Sequence, residues 1–193
     1  MTTIISGSSG VNNVAPNTVT HDDLKSGQTV GVAKMQQFSA ISTTSGTFQD
    51  QLNIPSWAKK ITLSLDSLST NGGSSITLRL GSSSIQSSGY SAAAMVLQGG
   101  ASPTGHSSTA GFDIHNATLA TAVYRGIIEL SKMSGNTWAA AWTVCRLNDN
   151  TQVHTGAGSV TLSGTLDRIR LTTVNGTDQF DAGSFSVLVE GYE

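Results

Sequence analysis

Nine aspartates, three glutamates, four histidines and one cysteine are the side chains here that can do acid–base, metal or nucleophilic chemistry. Asp178 and Asp181 come closest to a local pair, in the stretch NGTDQFDAG. With backbone carbonyls they offer oxygens to a calcium ion, which takes six to eight. DQFD lacks the repeated acids of a calcium loop, so the expectation is Asx-type turn bonds from both aspartates, with Phe180 folded onto the core. A glycosidase needs two carboxyls facing each other across a cleft. Glu129 and Asp113 are the acids to test for that, although alternation points Glu129 outward. His21, His106, His115 and His154 fall in no metal-ligand spacing such as HExxH. They are expected in exposed loops or at strand ends. Cys145 alternates away from Trp142 and Val144, and the nearest histidine in sequence is His154. A nucleophilic thiol needs a base and a lowered pKa, so a buried, inert thiol is expected. No GxSxG, P-loop or GxGxxG stretch is present, and LGSSSIQSSG lacks the lysine that would meet phosphates. The reading is no catalytic residue, no metal ligand, no cofactor and no enzyme.

The elements that carry these residues are strands. KKITLSLDSL places Ile61, Leu63 and Leu65 on one face and Thr62, Ser64 and Asp66 on the other, a period of two. STNGGS reads as a turn, with Asn71, Gly72 and Gly73 supplying positive φ. SITLRLG returns with Ile76, Leu78 and Leu80 inward, which predicts a hairpin. AVYRGIIELSKM, SGN and TWAAAWTVCRL predict a second hairpin. In its return strand Trp138, Ala140, Trp142 and Val144 share a face. The small Ala139 and Ala141 lie opposite, where another layer or subunit could approach closely. GSVTLSGTLDRIRLTTV supplies two short strands, the second with Ile169 and Leu171 inward. GSFSVLVEGY supplies the last, with Phe185, Val187 and Val189 inward. SGYSAAAMVLQ fits a strand by length and a helix by its alanines. STAGFDIHN is expected to pair as a strand. Pro55 should mark where a strand starts. Many short strands with Gly, Ser and Asn turns predict an all-β fold: a β-sandwich, jelly-roll-like, over 37–193.

Residues 1–36 differ. Val11, Val14, Val19 and Leu24 are isolated aliphatics, and no aromatic precedes Phe38. Each ordered residue costs about 1–2 kcal/mol of backbone entropy, whereas one buried Val or Leu returns roughly 1.5–3 kcal/mol. The segment is therefore either a loose tail or an extended N-terminal arm that orders against another chain, and the arm is the expectation. Thr20 can cap one helical turn within it, with Asp22 and Asp23 at its positive end and Gly27 as its stop. Extended, such an arm reaches up to about 120 Å.

Composition limits the partners. Charged residues are 11% and the net charge is −2. Ser and Thr make 52 of 193 residues, so the surface is neutral and hydroxyl-rich. Ten basic residues spread along the chain argue against nucleic acid. No apolar run reaches the roughly 18–20 residues of a membrane span, so no membrane insertion is expected. MTTIISGSSG has neither the basic nor the apolar region of a secretory signal. One cysteine excludes an internal disulfide and suits a reducing cytosol. Trp57, Tyr90 and Tyr192 are the aromatics that could serve as surface contacts, against the alternative of packing at the sandwich rim.

IPSWAKKITLSLDSLSTNG, GYSAAA and SGTLDRIRLTTVNGTDQFDAGSFSVLVEGY resemble the C-terminal β domain of tail-fibre-like and other virion structural proteins of tailed bacteriophages and prophages. The likeness covers roughly residues 50–193. The opening IISGSSGVNNV and NTVTHDDLKSG are similar to N-terminal segments that attach such proteins to the particle. The resemblance implies a non-enzymatic virion component, commonly homotrimeric, made in the host cytoplasm. Particle attachment would fall to Val11, Val14, Val19 and Leu24 of the arm, on capsid or tail proteins. The chain leaves little room for a fibre shaft, which favours a short head or tail appendage or a capsid decoration. The surface loops 82–92, 99–110 and 148–158 would meet any host ligand, including a host surface glycan. The alternative is a carbohydrate-binding module for host surface glycans.

Overall fold

The computed structural model describes residues 33–115, 119–148 and 152–192. Fourteen strands follow in chain order: β1 Ala33–Gln37, β2 Ile41–Ser42, β3 Phe48–Leu52, β4 Ala58–Thr70, β5 Ile76–Ser82, β6 Ser84–Ile85, β7 Tyr90–Gln98, β8 Thr104–Ser108, β9 Phe112–Asp113, β10 Tyr124–Lys132, β11 Thr137–Arg146, β12 Gln152–Thr161, β13 Arg168–Thr173 and β14 Phe180–Tyr192. They form two antiparallel sheets, a β-sandwich. The large sheet runs β1-β14-β4-β10-β11-β12-β7-β8, with β2 also on β14. The small sheet runs β3-β13-β5-β6, with β9 on β5.

Alternation produces the core. Ile61, Leu63 and Leu65 of β4, Ile128 and Leu130 of β10, Trp138 and Trp142 of β11, and Val187 and Val189 of β14 are all buried. They meet Ile76, Leu78 and Leu80 of β5 and Ile169 and Leu171 of β13, which cover them from the small sheet. Burying one such side chain stabilises by about 1.5–3 kcal/mol. Tyr90 and Phe112 close this core edge-to-face, ring centroids 5.0 Å apart. SGYSAAAMVLQ is a strand, with Tyr90, Ala92 and Ala94 inward.

The second predicted hairpin forms: β10 and β11 pair from Tyr124↔Arg146 to Lys132↔Trp138. The first does not. β4 lies in the large sheet and β5 in the small one, so 71–75 is a crossover between layers. Its glycines also lack positive φ. A distant segment decides the matter. The Asn71 N–H donates to the Gln179 carbonyl at 2.9 Å, and the Gln179 N–H donates to Asn71 Oδ1 at 2.8 Å. The Ser74 N–H donates to Asp178 Oδ2 at 2.8 Å. Gly72 is small because a Cβ there would fall 2.1 Å from the Asp178 carboxylate.

β1 begins at Ala33 and pairs with β14 through Ala33↔Tyr192 to Gln37↔Leu188. Residues 33–36, given to the arm from sequence, therefore belong to the sheet. Val11, Val14, Val19 and Leu24 lie outside the described residues, as does the helical turn expected after Thr20.

Candidate functional site

Two regions stand out, one on the surface and one in the core. The surface region is the outer face of the large sheet. Pairing sets its side chains in rows across the strands. One row runs Glu129, Ala141, Ala157, Ala93 over β10, β11, β12 and β7, and the next runs Ile127, Thr143, Thr155, Met95. Small side chains in the first row leave a shallow trough. It comprises two adjoining depressions of about 430 and 510 Å³ that share Thr155 and Gly156. Gly156 is required from the inner side. A Cβ there would meet the Trp142 ring at 2.2 Å and the Ala93 carbonyl at 2.7 Å. The trough is nearly uncharged. Glu129 at its rim is held by Lys60 Nζ at 2.7 Å, and the Thr155 hydroxyl donates to the Trp142 carbonyl at 3.0 Å.

The core region is a cluster of rings. His115 stacks on Tyr124 with centroids 4.0 Å apart, and His154 meets Tyr124 edge-on at 5.5 Å and His115 at 6.0 Å. Both histidines are 1% exposed, which corrects the expectation of surface histidines. His154 sits inward on β12 opposite Val144 and Val96. His115 Nε2 accepts the Ile76 N–H at 3.0 Å, so its ring is neutral with the proton on Nδ1. Burial pushes His115 well below the usual histidine range, and the neighbouring His154 and His106 add to the effect. Burial lowers His154 to about 4, with Arg146 and His106 contributing. His106 Nε2 lies 4.0 Å from Asp113 Oδ2. Among the described residues no group of three or more His, Cys, Asp or Glu is placed to hold a metal ion.

The sequence-derived contact residues separate. Tyr90 is buried, and its hydroxyl accepts the Leu80 N–H at 2.8 Å, which removes it as a surface contact. Burial raises its phenol to about 12. Trp57 is half-buried against the core beneath Lys34, 5.9 Å from its ring centroid. Tyr192 is 57% exposed with Lys59 at 5.0 Å. These two lie at one end of β4 and β14.

Glu129 stands outward on the large sheet, while Asp113 is on β9 of the small sheet. The two are not set across a cleft. Cys145 is half-buried rather than buried. The Asx turn of the 175–178 loop is made by Asn175, whose Oδ1 accepts the Thr177 and Asp178 N–H groups at 3.1 and 3.0 Å. Asp178 instead ties the crossover, Asp181 is exposed, and Phe180 is buried as expected. Residues 84–85, 90–92, 104–108 and 152–158, read as parts of surface loops, lie in strands β6, β7, β8 and β12.

Sequence reasoning missed the outer face of the small sheet. There Arg170 grips Asp50 with two bonds of 2.7 Å and covers the Phe48 ring at 3.8 Å. The alternation of Arg168 and Arg170 about Ile169 was the available signal. No family model, no curated protein and no solved structure matches the chain.

Proposed function

We propose that the chain is a non-enzymatic structural protein of a tailed-phage particle, a tail-fibre-like, head-fibre or decoration component. In this reading residues 1–32 anchor it to capsid or tail proteins, the sandwich is the exposed head, and several copies act together. The observation that carries the reading is the character of the head. A sandwich with a large continuous core presents a neutral face of Ala, Ser and Thr, suited to packing against protein. The segment resemblance to virion proteins supplies the particle.

The test is co-purification. Particles from a producing host are banded by density, and the fractions are probed with antibody to the sandwich. The chain is expected in the particle band, and mild proteolysis within residues 1–32 should release the sandwich from it. A chain found wholly in the soluble lysate overturns the proposal.

A second reading, a head that binds a host surface glycan, is favoured by the exposed Tyr192 ring. Retention on host polysaccharide that Tyr192→Ala abolishes would support it. No retention by the intact chain would dismiss it.

A further inference from the structure

We propose that the outer face of the large sheet is the docking surface for a second copy of this chain, placed face to face about a two-fold axis. The axis lies in the interface, along the strands, between β11 and β12. The inference goes beyond the virion reading and holds whether or not a particle is involved.

Three observations carry it. The first is shape. Ile127 and Met95 stand at opposite ends of the row Ile127, Thr143, Thr155, Met95, and they are 50% and 46% exposed. One depression adjoins Ile127 and the other adjoins Met95. A two-fold along the strands turns each end of the row onto the other end in the partner. Ile127 of each copy then enters the depression beside Met95 of its partner, as a self-complementary contact demands. The same operation sets Ala141 on Ala157 and Thr143 on Thr155. Small residues thus meet small residues at the centre, and the two sheets pack aligned.

The second is charge. The docked face carries two ion pairs, Lys60 with Glu129 and Arg125 with Asp66, each already closed at 2.7 Å. The two-fold sets Glu129 over Ala93, which leaves room for it. Two copies therefore meet without opposing unpaired charges inside the trough.

The third is area. From β4 to β8 the face spans five strand spacings, about 24 Å, and nine-residue strands run about 30 Å. That is roughly 700 Å², close to the ~800 Å² per partner of a stable interface. Exposed apolar side chains on a monomer are ordinarily scattered singly. Here Ile127, Met95 and Leu97 gather on this one face.

The experiment uses the full chain. Light scattering after gel filtration should give about 40 kDa, twice the 19.9 kDa chain. Ala157→Arg, at the centre of the face, should halve that mass with an unchanged circular-dichroism spectrum, whereas Ser84→Arg on the small sheet should leave it at 40 kDa. Mild peroxide supplies a readout that needs no variant. Met35, on the edge strand β1 outside the β4–β8 span, and Met133, in the turn after β10, are 71% and 65% exposed and should oxidise at least tenfold faster than Met95. A monomer, protected at Met95 or not, overturns the proposal, because the occupant is then another part of the chain or nothing. A dimer with Met95 fully reactive overturns it by placing the contact elsewhere, and a trimer overturns the two-fold pairing.

Discussion

Acidification from pH 7 to pH 5 should destabilise the sandwich through its buried histidines. In the unfolded chain His154 titrates near 6.5, and in the folded protein near 4. A histidine with a depressed folded value favours folding while both states are neutral, above about pH 6.5. That contribution is lost as the pH falls toward 4, because the unfolded ring takes up a proton that the folded ring refuses. At 1.36 kcal/mol per pKa unit, His154 alone removes about 2 kcal/mol between pH 7 and pH 5. For a domain of this size that is about 4–8 °C in transition temperature.

His115 acts in the same direction for a reason visible in its geometry. Its Nε2 accepts the Ile76 N–H, and a proton on that nitrogen would set donor against donor. The groups around the pair are Tyr124, His106, Asp113 and Arg146. Asp66 and Asp167 are lowered from 3.8 by Arg125 and Arg168 respectively, so they titrate beneath this window. The assay is calorimetry or circular dichroism at half-unit pH steps, with nuclear magnetic resonance following the imidazole signals. His154→Leu keeps an apolar filler, removes the titrating nitrogens, and should remove about half of the slope. A transition temperature that stays level from pH 7 to pH 5, or a His154 signal titrating near 6.5 in the folded protein, would refute the reasoning.

Three further outcomes follow from packing and hydrogen bonding. Gly156→Val drives a side chain into the Trp142 ring and the Ala93 carbonyl, and should cost about 2–3 kcal/mol by urea unfolding. A double-mutant cycle on Asp50 and Arg170, whose side chains are 21% and 28% exposed and joined by two bonds, should give a coupling of about 1 kcal/mol that shrinks in 1 M salt. Asp178→Ala, which frees the Ser74 N–H, should cost about 1–2 kcal/mol, whereas Asp181→Ala at an exposed position should stay within about 0.5 kcal/mol.

The core was legible because period-two alternation is a local property. Each inward set, from Ile61–Leu63–Leu65 to Phe185–Val187–Val189, could be read from its own strand, and each is buried. The β4–β5 error arose because turn chemistry is also local. NGG suits a hairpin, yet the same residues serve a crossover once a partner 104 residues away, Asp178, binds the Ser74 N–H. Sheet membership is set by such long-range bonds, which leave no local trace. The trough was half visible. Ala139 and Ala141 were recognisable as a small face of one strand, but its extension through Ala157 and Ala93 needs the β11-β12-β7 order.

The histidine cluster was missed for a different reason, since its signal was present. Counting back from the buried Val160 in steps of two passes through Gly158 and Gly156 to His154, so alternation alone sends that ring inward. Two glycines hide the pattern, because they give no hydropathy to count. Their absence of side chains is itself informative. Gly158 has Ala92 within 2.8 Å of where its Cβ would lie, and Gly156 has the Trp142 ring at 2.2 Å. Strand β12 is thinned where its neighbours are thick. Two consecutive inward glycines followed by an inward histidine therefore mark a strand pressed from both sides. The outer trough has a separate cause, the small outward side chains of Ala141, Ala157 and Ala93 on three neighbouring strands.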